Sequence, residues 1–111
     1  MRRENETTRW IRTVREEIPA RRGSFLVAWV DKSSRRDSPV VIVGRTVGKA
    51  HERNRVRRRI REALRMCVAN PAGIIVVART RARAADYWNL LNELEGLLAE
   101  PDTGLGRDRS D

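Results

Sequence analysis

The chain has 111 residues, and its 24 Lys+Arg against 15 Asp+Glu give a formal net charge of +9 and a pI near 11.4. That length supports one domain with a modest core, and the 5% aromatic content leaves Val, Ile, Leu and Ala to build it. The single cysteine, Cys67, excludes an intrachain disulfide and a cysteine-built metal site, and the absence of a long apolar run or a signal-like h-region leads us to expect a cytoplasmic protein.

Residues 1–7 are polar and read as a flexible N-terminus. From Thr8, a fair N-cap, Ile11, Val14 and Ile18 recur at helical spacing until Pro19 stops the helix. Residues 20–24 read as a basic turn. A strand over 25–30 points Phe25, Val27 and Trp29 to one face and Leu26, Ala28 and Val30 to the other. After a polar loop, a second strand spans 39–43, and the pair predicts an antiparallel hairpin with a long connection.

The spacing of Val56, Ile60, Ala63, Leu64 and Cys67 predicts a long helix over about 50–68, ended by Asn70-Pro71 and Gly73. The apolar run 74–78 reads as a buried strand and 79–85 as a basic loop. Asp86 then caps a last helix with Tyr87, Leu90, Leu91, Leu94, Leu97 and Leu98 on one face. Residues 99–111 have the composition of a disordered tail, which leaves 8–98 as a single domain. The element order implies an α+β sandwich, one sheet covered by helices.

The charge is concentrated. Residues 40–83 hold twelve basic side chains and only Glu52 and Glu62 against them, a balance of +10, while the rest of the chain stands at −1. A basic block inside a folded region is a surface, and it favours a polyanion, nucleic acid before membrane. On the long helix, Asn54, Arg58, Arg61 and Arg65 fall opposite the apolar stripe, with Arg57 on one flank and Arg55 and Arg59 on the other. Arg57 with Arg61, and Arg61 with Arg65, are like-charge pairs four residues apart, each destabilising by about 0.2–0.5 kcal/mol unless an anion lies across them.

Residues 47–65, from Val47-Gly48-Lys49-Ala50 through Arg53-Asn54-Arg55 and Arg57-Arg58-Arg59 to Arg61-Glu62, resemble the signature of the bacterial ribonuclease P protein family. Ile75-Val76-Val77-Ala78-Arg79 is similar to that family's last strand, and the resemblance covers roughly 11–98. It implies an αβββαβα fold with a mostly antiparallel sheet and a left-handed crossover into the basic helix. It implies binding to the catalytic RNA through Arg45, Lys49, Arg53, Asn54, Arg55, Arg57, Arg58 and Arg61. It also implies a cleft for the 5′ leader of precursor tRNA, with Ile11, Arg15 and Trp29 at the matching positions. In that family the chemistry belongs to the RNA, so the protein is a non-catalytic subunit of an endoribonuclease. Mg²⁺ is then held mainly by the RNA, with none expected on the protein alone, and no protein oligomer is expected. The chain departs from the family pattern: Ile11 and Arg15 are not aromatic, Arg45-Thr46 replaces two lysines, and Gly73 stands where Asp is common.

Some residues admit two readings. Trp29 is either a base-stacking aromatic on an open sheet face or a core residue. Trp88 reads as a half-buried lid, Cys67 as core, and His51 as a loop residue without a role. Glu16 with Glu17, and Glu93 with Glu95, do not converge on a site, so no protein active site is legible. A non-catalytic RNA-binding protein of ribosomal-protein-like fold is the alternative, and a DNA-binding helix protein a more distant one.

Overall fold

A computed structural model describes residues 5–34, 36 and 38–99. Within them the chain runs α1 (Glu6–Glu17), β1 (Arg21–Arg22), β2 (Leu26–Val30), β3 (Val40–Ile42), a 3₁₀ turn (Arg45–Val47), α2 (Ala50–Cys67), β4 (Ile74–Ala78), a second 3₁₀ turn (Thr80–Ala84) and α3 (Tyr87–Leu98). This is the αβββαβα order of an α+β fold. Of the segments read as a flexible N-terminus and a disordered tail, residues 1–4 and 100–111 lie outside the described residues, while Glu6 and Thr7 already belong to α1.

The four strands lie in the order β1-β2-β4-β3. β2 pairs antiparallel with both β1 and β4, while β3 pairs parallel with β4. The hairpin expected between β2 and β3 does not form, because β4 lies between them. The reason is burial. Ile74, Ile75 and Val76 are each at most 4% exposed, so this strand is covered on both faces and takes an interior place. The loop after β2 carries the chain past β4, and α2 provides the crossover that a parallel β3–β4 pair requires.

The join between that loop and β4 is tight. Asp31 N–H donates to the Gly73 carbonyl at 2.9 Å. Gly73 has φ +81°, and a side chain there would strike the Asp31 carbonyl. A glycine at this position therefore follows from how closely the two segments approach.

Two other expectations shift. The cap of α1 is Asn5, whose Oδ1 accepts from Thr8 N–H at 2.7 Å, so the helix begins before Thr8. Residues 21–22 are a strand rather than a turn, paired with Ala28 and Val27. The corner between β1 and β2 is held by Glu93 of α3, whose carboxylate accepts the backbone N–H groups of Ser24, Phe25 and Leu26 at 2.7–2.8 Å. One acidic side chain thus satisfies three donors that lack a ladder partner.

The two sheet faces differ. Leu26, Ala28 and Val76 pack against Val56, Ile60 and Leu64 of α2 and Leu90 and Leu94 of α3, and this is the main core. The apolar stripes read from both helices are the buried ones. Asp86 caps α3 as expected, accepting from Asn89 N–H at 2.8 Å. On the opposite face, Val14 of α1 packs on Val27, Trp29 and Ile75. Phe25 departs from the alternation and joins the α2–α3 side.

Candidate nucleic-acid interface

The buried stripe of α2 fixes the helix rotation, and rotation decides where its arginines go. Asn54, Arg57, Arg58, Arg61 and Arg65 line one shallow depression of about 300 Å³. Asn54 Oδ1 accepts from Arg57 Nη1 at 2.7 Å, which orients that guanidinium along the helix. Arg58, Arg61 and Arg65 are exposed and form no ion pair or hydrogen bond with any described residue. Four of these five residues were legible as interface candidates. Arg65 is outside that set, although its spacing of four residues from Arg61 and seven from Arg58 is the signal that finds it.

The remaining candidates on this element have different surroundings. Arg53 is half-buried, and its Nη1 lies 3.5 Å from the Gly48 carbonyl, at the limit of a hydrogen bond. Arg55, Arg45 and Lys49 are exposed near the start of the helix but do not line the depression. Arg59, on the flank, donates to the Ala85 carbonyl at 2.9 Å and ties α2 to the segment before α3.

Of the two acidic residues in the basic block, Glu52 is engaged. Its Oε1 accepts from Lys49 N–H at 2.8 Å, and its Oε2 meets Arg83 Nη2 at 3.0 Å. The Lys49 N–H, and secondarily the Arg83 charge, hold this carboxyl below the usual glutamate range. Gly48, at φ +152°, leaves room for that carboxylate, which a side chain there would displace. Glu52 therefore shapes the helix start and leaves the Arg58–Arg61–Arg65 row without a neutralising partner.

The second predicted site is assembled but covered. Ile11, Arg15 and Trp29 come together where α1 crosses the sheet. Trp29 is only 5% exposed, and the Arg15 guanidinium sits 5.1 Å from its ring centroid. The indole N–H of Trp29 is buried and has no hydrogen-bond partner among the described residues. Beside α1, the same sheet face presents half-buried Val40, Ile42 and Val77. Sequence reasoning did not single these out, although alternation along β3 and β4 marks them.

Trp10 is pinned too. Its indole N–H donates to Asp31 Oδ2 at 2.8 Å, and the Arg36 guanidinium lies 4.9 Å from its ring centroid. Among the described residues, no three His, Cys, Asp or Glu side chains gather where a metal could bind. No helix among them is long and apolar enough to cross a membrane.

The family model described as Ribonuclease P matches residues 3–102. The ribonuclease P protein component of Thermus scotoductus is 42% identical over 74 residues, which cover 66% of this chain and 44% of the relative. That of Thermus thermophilus is 38% identical over 76 residues, 68% of this chain and 45% of the relative. The chain thus spans under half the length of these curated relatives. In fold, it is similar to the RNase P protein from Thermotoga maritima, with a TM-score of 0.71 and 22% identity over 89% of this chain and 100% of that one. It is also similar to the RNase P protein of Staphylococcus aureus, with a TM-score of 0.67 and 21% identity over 86% of this chain and 90% of that one. The basic helix, the strand order that positions it and a family match across nearly the whole chain agree, and the chain belongs to the ribonuclease P protein family.

Proposed function

We propose that this chain is the protein component of a ribonuclease P, and that it binds the catalytic RNA and the 5′ leader of precursor tRNA to assist removal of the leader. The observation that carries this reading is the unneutralised row Arg58, Arg61 and Arg65, set beside Asn54 and Arg57 on a helix whose other side is core. Guanidinium groups at this spacing match successive phosphates and can bind each with two hydrogen bonds. Arg45, Lys49, Arg53 and Arg55 extend the positive surface toward the helix start, where free backbone N–H groups also favour phosphate.

The chemistry is assigned to the RNA, with Mg²⁺ held mainly there. On the basic surface, Glu52 is already engaged by Lys49 and Arg83, and Glu62 is the one other carboxylate of the block. The residues present do not fit a metal site on this face of the protein. The leader is assigned to the side of the sheet crossed by α1, where Ile11, Arg15 and Trp29 meet beside Val40, Ile42 and Val77. A cytoplasmic location and a single copy of the protein complete the reading.

Reconstitution with a bacterial ribonuclease P RNA at low Mg²⁺ tests it. The complex is expected to cleave the leader from precursor tRNA under conditions where the RNA alone is slow. The protein alone is expected to cleave nothing. Cleavage by RNA-free protein, or no stimulation by the protein, contradicts the assignment. High-affinity binding to ribosomal RNA without stimulation favours the ribosomal-protein-like alternative.

A further inference from the structure

Met66 and Trp88 are the two large apolar side chains that the described residues leave widely open, at 70% and 66% exposure. Tyr87, at the start of α3, links the surroundings of the two. It lines a shallow depression of about 370 Å³ with Glu62, Arg65 and Met66, and its ring meets that of Trp88 edge to face at 5.1 Å. Nothing in the main core needs Trp88, since α3 is anchored by Leu90, Leu91 and Leu94.

Arg65 decides what this patch fits. It lines the apolar depression and also the arginine-lined one that holds Arg58 and Arg61. The aromatic surface therefore continues directly into a row of cations without partners among the described residues. We propose that Met66, Tyr87 and Trp88 form a shelf on which an unpaired RNA base stacks, its phosphate chain running over Arg65 toward Arg61 and Arg58. This inference rests on the RNA-binding reading above and adds a second kind of contact to it. An aromatic face bordered by arginine is the usual construction for holding single-stranded nucleic acid.

A second copy of the chain fits less well. Two exposed side chains offer at most a few hundred Å², against roughly 800 Å² per partner in a stable interface. The bordering arginines would also repel their own counterparts. Glu62 at the rim offers an acceptor to an exocyclic amino group, so adenine is a suitable probe.

The test is titration of the full chain with a short oligoadenylate and with an abasic chain of equal length. Three variants are compared with the parent: Trp88→Leu, Trp88→Phe and Arg58→Ala/Arg61→Ala. Trp88→Leu keeps an apolar side chain and loses the ring. It is expected to bind oligoadenylate about tenfold more weakly and the abasic chain unchanged, with Trp88→Phe recovering most of the loss. The arginine variant is expected to lose affinity for both chains. Oligoadenylate binding by Trp88→Leu that equals the parent, while the arginine variant loses affinity, overturns the shelf and leaves the RNA face standing. No binding of either chain by the parent at low salt overturns both readings. A self-association of the parent that Trp88→Leu abolishes overturns the shelf in favour of a protein contact.

Discussion

The two surfaces of this molecule use the same side chain in opposite ways. On α2, Arg58, Arg61 and Arg65 are exposed with no partner among the described residues. On the α1 side, the guanidinium groups of Arg15 and Arg36 rest on the rings of Trp29 and Trp10. The first arrangement leaves charge available to a ligand. The second uses charge to cover aromatic surface. Arginine number alone is therefore a poor guide to a binding site, and what separates the two surfaces is whether an acceptor or a ring lies within reach.

The sharpest contrast is between removing the centre of each surface. Trp29 is packed with Val14, Val27 and Ile75, so Trp29→Ala is expected to cost about 3–5 kcal/mol of stability, read by urea unfolding. A cost below 1 kcal/mol would mean that the ring is not packed as described. The triple change Arg58→Ala, Arg61→Ala and Arg65→Ala should leave stability unchanged or slightly raised, because it removes like-charge repulsion. Its effect belongs to binding. Each lost phosphate contact lowers the slope of log affinity against log salt by about 0.7–0.9, so the slope is expected to fall by about 2–3. At moderate salt that is on the order of a hundredfold in affinity for the catalytic RNA. An unchanged slope would place the RNA elsewhere.

The degree to which each surface was legible follows from the same physics. Long amphipathic helices declare themselves, because one apolar stripe fixes both the buried side and the exposed one. Val56, Ile60 and Leu64 thus locate the arginine row from the sequence itself. Strand order is not local. The proximity of β2 and β3 in sequence suggested a hairpin, whereas the continuous burial of β4 decided the sheet. β1 is two arginines paired through their backbones, and no side-chain alternation marks it. Trp29 was recognisable as an aromatic on the strand, but its cover by Arg15 depends on how α1 crosses the sheet. Trp88 was read as half-buried and is 66% exposed, because it lies at the edge of the α3 stripe, where small rotations decide burial.

Within α2, a finer contrast separates arginines that reach outward from one that folds back. The family resemblance puts Arg53 and Arg55 among the RNA-binding residues and leaves Arg65 out of that set. In the structure Arg53 is turned toward the Gly48 carbonyl, whereas Arg65 lines the depression with Arg58 and Arg61. Arg65→Lys keeps the charge and loses the bidentate fork. It is expected to weaken RNA binding several-fold, about 1 kcal/mol, with the salt slope unchanged. Arg53→Lys is expected to change affinity less. The reverse order in a titration would mean that the helix start, rather than its middle, grips the RNA.

The smallest expected effect tests how firmly the α1 side is held. Asp31 accepts from Trp10 at one oxygen and from the hydroxyl and N–H of Ser33 at the other. The Ser33 hydroxyl first, and the Trp10 indole next, hold its carboxyl below the ordinary value of 3.8. A group whose pKa is lower in the folded state than in the unfolded one stabilises the fold above the unfolded pKa. Asp31 should therefore contribute fully near neutral pH, and that contribution should fade as pH falls from 3.8 through the lower folded value. Protonation weakens the acceptor that pins Trp10, so the Trp10–Arg36 stack and the crossing of α1 loosen together. Asp31→Asn retains an acceptor oxygen for one donor but removes the charge. Its stability is expected to fall modestly at neutral pH and to converge with the parent in acid, so the gap between their urea midpoints narrows below about pH 4. Glu52 is lowered in the same direction at the start of α2, so Glu52→Gln serves as the comparison on the other surface. Loosening at Asp31 should change the tryptophan emission through Trp10, whereas loosening at Glu52, which has no indole partner, should not. A gap for Asp31→Asn that stays constant across the acid range would show that the charge of Asp31 does not hold α1 in place.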